Sequence, residues 1–157
     1  MRPEDALARL PVPLRRIAYR VAYRLLQVWS RVRPGHPQGV KCVLRHEGRI
    51  LFIRHTYGDR RLWELPGGGL HRGEPPLEAA AREAREELGV ELVWRPLASV
   101  ELRDHRLTTM HVFAADALTD AVTHDPGELA EVRWAAPDAP PRPLSVSSTA
   151  ILTLPGV

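Results

Sequence analysis

Between Gly67 and Gly89 the chain is punctuated so closely that one local structure satisfies it: a loop, a helix and a hard stop. The run Gly67-Gly68-Gly69 lets the backbone take conformations closed to other residues and approach a ligand. Pro75 and Pro76 stand where a helix begins and a missing N–H costs little. Ala79, Ala80, Ala81 and Ala84 are strong helix formers. Gly89 follows as the left-handed residue that ends the helix. The spacing predicts a helix over Leu77–Leu88.

That helix carries acids where stability alone would not put them. Glu83, Glu86 and Glu87 stand at i, i+3 and i+4, so their carboxylates project from one face. Like charges at that spacing repel by about 0.2–0.5 kcal/mol per pair. A hard divalent cation removes the conflict, because Mg²⁺ takes carboxylate oxygens together with waters and substrate phosphates. The bland alternative is a solvated face laced with ion pairs, for which Glu78 and Arg82 have the favourable order. For an isolated helix the two readings weigh at least equally.

Loop and helix together change that balance. The run Gly68-x5-Glu74-x7-Arg82-Glu83-Ala84-x-Glu86-Glu87-x-Gly89-Val90 resembles the Nudix box, with seven identities at fixed spacing and aliphatic residues at Ala84 and Val90. A looser resemblance covers residues 39–136. It includes Trp63-Glu64-Leu65-Pro66-Gly67-Gly68 before the box and Glu128-x2-Glu131-Val132-Arg133-Trp134 after it.

The resemblance implies an α/β chain: a Nudix-type α/β/α sandwich around a mixed sheet. It implies Mg²⁺-dependent hydrolysis of a diphosphate linkage in a nucleoside diphosphate joined to another moiety, with Mn²⁺ as a substitute ion. Glu83, Glu86 and Glu87 match metal-binding carboxylates, and Gly67 matches the residue whose carbonyl often joins them. Arg82 matches the arginine that holds the catalytic glutamates through ion pairing, and Glu74 matches a structural glutamate. Glu83 is one candidate general base. Glu128, ahead of a predicted strand, is a second, as base or extra ligand; its alternative is a solvated loop charge. Glu101 and Asp104 are weaker candidates. Gly68, Gly69, Arg54 and Trp63 are candidates for substrate contact, although Trp63 suits a core position equally. Arg60 and Arg61 also flank the expected cleft, as phosphate contacts or as solvated charges.

The remaining pattern is that of one mixed domain. Val40–Arg45 and Ile50–His55 flank a Glu47-Gly48 turn and predict a hairpin. Leu62–Leu65, Glu91–Leu102, Leu107–Ala117 and Leu129–Trp134 read as strands, and Ser147–Leu154 as a short helix. The single cysteine, Cys42, excludes an internal disulfide and fits a reducing cytoplasm. The seven histidines lack metal-ligand spacing, and His71 alone lies in the box loop. The glycine loop is not a Walker A motif, because no Gly-Lys-Ser/Thr follows.

Residues 1–38 stand apart as a basic segment and linker, ahead of a hydrolase domain over 39–157. Residues 1–41 hold nine Lys/Arg against Glu4 and Asp5, or +7, so the rest of this +3 chain sums to −4. Leu14, Ile17, Val21, Leu25, Val28 or Trp29, and Val32 recur at helical spacing over residues 13–32, with Arg16, Arg20 and Arg24 on another face. Such an amphipathic helix packs its stripe on the domain or on a second subunit, giving a homodimer. Its sharper reading is an interfacial helix on an anionic membrane, which places a cytoplasmic protein at the membrane periphery. The stretch is too short and too charged to span a bilayer.

The expected partner is a small nucleotide or nucleotide derivative, with no nucleic acid expected. Two competing classes are a nucleotide-binding regulatory module without turnover, and an isoprenoid diphosphate isomerase. The complete glutamate set argues against the first. The second needs a cysteine and glutamate constellation that is not found around Cys42.

Overall fold

The computed structural model describes residues 9–32, 35–103 and 107–157; side chains are not described for residues 26–32. Asp104, and the side chains of Val28, Trp29 and Val32, lie outside the described residues. In chain order the elements are α1 (Val12–Val32), β1 (Gln38–His46), β2 (Arg49–His55), α2 (Pro76–Leu88), β3 (Arg95–Arg103), β4 (Leu107–Asp116), β5 (Leu129–Ala135) and α3 (Val146–Ile151).

The five strands form one mixed sheet in the order β3-β4-β1-β2-β5. The β1–β2 hairpin closes through Glu47 and Gly48, both at positive φ (48° and 72°), the backbone pair a tight two-residue turn needs. β1 runs parallel to β4, while the β2–β5 and β3–β4 pairs are antiparallel. The expected strand over Leu62–Leu65 reduces to two bridges, Ile53 with Glu64 and Trp63 with Leu144.

Both faces of the sheet are covered, so its central strands are apolar on both sides. Val40, Cys42, Leu44, Leu51 and Ile53 pack under α2 against Ala79, Ala80, Ala84 and Leu88. Val43, Ile50 and Phe52 face the other way, with Trp63, Leu65 and Ile151 of α3. The α/β/α sandwich expected from the sequence is therefore present. The alanines of α2 let its backbone sit close to the sheet. α2 begins at two prolines and ends at Gly89, in the left-handed conformation (φ 65°).

The glycine loop is docked along β1. The amides of Val40 and Cys42 donate to the carbonyls of Gly68 and Pro66 (2.9 and 2.8 Å). At Gly67, φ is 137° and an added Cβ would lie 2.2 Å from the Val40 carbonyl oxygen. Only glycine fits there.

The N-terminal helix departs from expectation in how it docks. Its polar face, not its apolar stripe, meets the domain. Arg15 pairs with Asp125 (3.0 Å), and Arg16 and Arg20 donate to the carbonyls of Pro126 and Thr56 (3.1 Å each). The rings of Tyr19 and Tyr23 pack on Tyr57. Leu14, Ile17, Val21 and Leu25 remain 49–66% exposed, so the stripe does not pack on its own domain. The reason is chemical: the neighbouring loops offer carbonyls, a carboxylate and a tyrosine ring, which suit arginine and tyrosine better than leucine. Among the described residues no helix is long and apolar enough to cross a membrane.

Gly67→Ala is expected to cost about 1–3 kcal/mol or more from backbone strain. Gly69→Ala, with open space around the added carbon, is expected to stay within about 0.5 kcal/mol. Urea denaturation of both variants checks the docking, and equal losses would contradict it.

Candidate active site

Glu87 is the innermost carboxylate, 3% exposed, on the face of α2 that meets the sheet. Its Oε2 accepts the Gly67 amide at 2.9 Å. Glu83, one turn earlier, lies against Gly68, where an added Cβ would sit 2.4 Å from its Oε1. A side chain at this second glycine would displace the Glu83 carboxylate from the loop. Arg82 ties the loop to the helix: it donates to both oxygens of Glu74 (2.8 and 2.9 Å), to Glu83 (2.8 Å), to Glu86 (3.2 Å) and to the Gly69 carbonyl (3.2 Å). This pairing holds Glu74 down to a pKa of about 2.

Two further elements converge on Glu87. Glu128 stands just before β5, and its carbonyl accepts the Thr56 amide (2.8 Å), which fixes it to the end of β2. The Tyr57 hydroxyl donates to its Oε1 at 3.4 Å. His55 closes β2, on the same side as Leu51 and Ile53. His55, Glu87 and Glu128 each bring a ligand-capable atom, all within 4.8 Å of one another. His55 Nε2 lies 3.7 Å from Glu87 Oε1, and its Nδ1 is buried without a partner among the described residues.

The cluster holds more negative charge than the protein neutralises. Burial, then Glu83, pushes Glu87 well above the ordinary carboxylate range. Burial, then Glu83 and Asp125, raises Glu128 to about 7. Burial raises Glu83 despite its bond to Arg82. The buried cation nearby, Lys41, is committed to Glu64 (2.8 Å) and the Leu65 carbonyl (2.9 Å). Burial alone would depress Lys41, but Glu64, with a smaller pull from Glu87, keeps its pKa raised. Burial depresses His55 to about 4, so its ring is neutral near pH 7 and has a lone pair to offer. Excess buried carboxylate beside a neutral imidazole is a donor set that fits a divalent cation.

The structure distributes the expected residues unevenly. Glu83 and Glu87 face the glycine loop, while Glu86 is half exposed at the rim, held by Arg82. Arg54 and Trp63 are not brought to the carboxylates. Trp63 is 5% exposed in the core under α3, with the Arg54 and Arg133 guanidinium groups 5.5 and 4.7 Å from its ring centroid. Arg54 also pairs with Glu131 (3.0 Å). Arg61 is paired with Asp59, and Glu101 is exposed on the edge strand β3. His71 reaches Glu74 (3.9 Å) rather than the inner cluster.

Sequence reasoning missed His55, Tyr57 and the Lys41–Glu64 pair. One signal pointed to His55: strand alternation puts it on the side of Leu51 and Ile53, the side that α2 covers. Metal-ligand spacing could not find it, because its neighbours come from two other elements.

Comparison with known proteins places the domain in a family. The NUDIX domain matches residues 35–152. An ADP-ribose pyrophosphatase of Mycobacterium tuberculosis is 56% identical over 54 residues, 33% of this chain and 26% of that protein. The phosphatase NudJ of Escherichia coli K12 is 43% identical over 51 residues, 32% of this chain and 33% of that protein. The matched stretches thus span a third or less of these curated relatives. A MutT NUDIX hydrolase from Burkholderia pseudomallei superposes with a TM-score of 0.71 at 27% identity, covering 78% of this chain and 99% of that one. With the box, the sandwich and the domain match in agreement, the chain belongs to the NUDIX family of hydrolases.

Proposed function

We propose that the chain hydrolyses a diphosphate linkage in a nucleoside diphosphate joined to another group, using Mg²⁺ or Mn²⁺. The observation that carries this reading is the convergence of the buried Glu87 and the partly buried Glu83 and Glu128, with more acid than the neighbouring cations answer, on a loop whose Gly67 position only glycine can fill. Glu83 and Glu87 would hold the cation, with Glu86 and the Gly67 carbonyl completing the set from the rim and the loop. His55 offers a nitrogen ligand beside them. Bound there, the cation supplies charge neutralisation on the phosphates and acidifies a coordinated water.

The rest of the work falls to the chain. Glu128, oriented by Tyr57, takes the proton of the attacking water. The water oxygen bonds to phosphorus, the bridging P–O bond breaks, and the leaving group departs with the bridging oxygen as a phosphate. Arg82 keeps Glu83 and Glu86 in place, and Gly68 and Gly69 let the phosphates approach the backbone. In this reading residues 39–157 form the hydrolase unit and α1 is an added element. A regulatory module without turnover would release no product from a panel of nucleotides, nucleotide sugars and dinucleotides, and that assay separates the two.

The α1 stripe supports a second proposal, peripheral contact with an anionic membrane. Leu14, Ile17, Val21 and Leu25 face outward, with exposed Arg24 beside them.

Three outcomes are expected. Glu87→Gln and Glu128→Gln each lower kcat by about 10²–10⁴-fold, with the metal-free fold retained because a repelled buried charge is removed. Wild-type turnover in both would overturn the assignment.

The second concerns metal-free stability. Between pH 4.5 and 7 folded Glu128 binds protons that the unfolded chain has released, and Glu83 and Glu87 act in the same sense, so stability falls as pH rises through that window. His55, near 4 when folded against 6.5 unfolded, opposes them with one proton. Melting temperature should therefore be higher at about pH 5.5 than at about pH 8, and Mg²⁺ should raise it more at the higher pH. An equal Mg²⁺ shift at both would exclude carboxylate ligation.

Third, vesicles containing an acidic phospholipid should sediment the full chain, and Ile17→Ser/Val21→Ser should release it. Equal partitioning of the two proteins would end the membrane reading, and a dimer broken by the same substitutions would assign the stripe to a second copy.

A further inference from the structure

A cavity of about 820 Å³ lies beside the carboxylates, between α1, the loop from Tyr57 to Glu64, and the start of α3. It adjoins the cluster through two residues. Tyr57 lines the cavity and donates to Glu128, and Glu64 lines it and holds Lys41.

The charges around it do not cancel. Arg20, Arg24 and Arg60 line the cavity, and none has an acidic partner among the described residues. The two acids in the same wall are already taken: Asp59 by Arg61 (2.9 Å), Glu64 by Lys41 (2.8 Å). Three guanidinium groups therefore stand uncompensated next to a cluster with the opposite excess. Arg20 is partly committed, through Nε to the Thr56 carbonyl (3.1 Å), which leaves Arg24 and Arg60 as the free forks. A guanidinium fork matches the two oxygens of a phosphate or carboxylate. The α1 side chains are held at this wall by the packing of Tyr23 on Tyr57, with ring centroids 5.1 Å apart. α1 precedes the residues matched by the NUDIX domain, so its share of this wall lies outside the matched residues.

We infer that α1 completes a specificity subsite in which Arg24 and Arg60 bind an anionic group, phosphate or carboxylate, that the substrate carries beyond its scissile diphosphate. The inference rests on the hydrolase reading above and narrows its substrate class. The substrate's diphosphate lies at the carboxylates and its distal end in the cationic cavity. A neutral sugar at that end would leave both guanidinium groups without a partner.

The test uses compounds that differ in one anionic group. UDP-glucuronate against UDP-glucose probes a carboxylate, and ADP-ribose 1″-phosphate against ADP-ribose probes a phosphate, each carried on the sugar distal to the nucleoside. Binding is measured by calorimetry with metal chelated, on the full chain. In at least one pair the charged member should bind about tenfold more tightly, the gain expected of one charge-assisted contact. Arg24→Ala/Arg60→Ala, with an unchanged melting temperature, should bring that ratio close to one. Arg24→Lys with Arg60 intact should retain part of it. The inference is overturned if neither pair is discriminated, or if the double variant keeps the preference.

Turnover separates this inference from the reading beneath it. Hydrolysis of both members of each pair at equal kcat/KM, with no difference in binding, removes the subsite and leaves the hydrolase. Discrimination in binding, with no product from any compound in Mg²⁺ or Mn²⁺, keeps the subsite and removes the hydrolase.

Discussion

Glu87 carries a carboxylate to a place that opposes its charge. Burial and the neighbouring Glu83 both favour its protonated form, and the amide of Gly67 is the direct donor holding it. That single contact requires much of the surrounding architecture. Gly67 must lie flat on the Val40 carbonyl, so it must be glycine. The loop must hydrogen-bond along β1, and α2 must approach closely enough for a glutamate to reach the loop, which small residues on its inner face allow. A buried ionisable group maintained against its own electrostatics is a mark of a site rather than of a scaffold.

Neutralisation is divided unequally around the site. Arg82 answers Glu74, Glu83 and Glu86 at the solvent side of α2, and Lys41 answers Glu64. Among the described residues Glu87 and Glu128, deeper in the cluster, have no cation of their own in salt-bridge range; the neutral His55 lies beside Glu87. The cations of α1 and the loop after β2 face the adjoining cavity. The molecule thus sets an acidic pole against a basic one across Tyr57, an arrangement complementary to a ligand that meets a metal at one end and arginine at the other.

α1 owes its orientation to what the domain offers it. The loops near Thr56 and Asp125 present polar acceptors and an aromatic ring, so arginine and tyrosine docked and the aliphatic stripe was left outward. Amphipathic periodicity identified the two faces correctly, but it contains nothing about which face a given neighbour will prefer. The same reasoning accounts for Trp63 and Arg54. Their place in the chain, ahead of the glycine loop, suggested the cleft, whereas Trp63 fills the layer under α3 and Arg54 stacks on its ring.

What the sequence alone determined was local and periodic. The loop, the helix with its proline start and glycine stop, the tight β1–β2 turn and the face carrying Glu83 and Glu87 follow from spacing, because backbone conformation and side-chain direction repeat with fixed periods. Glu128 could be suspected from its place before a strand. Tertiary structure alone decided which of these groups meet. His55 from β2, Glu87 from α2 and Glu128 ahead of β5 are far apart in the chain and come within ligand distance only because the sheet order sets β5 beside β2 and because α2 packs across the neighbouring strands β1 and β4. Burial, which sets the charge state of all three, is likewise a property of packing and has no signature in the order of residues.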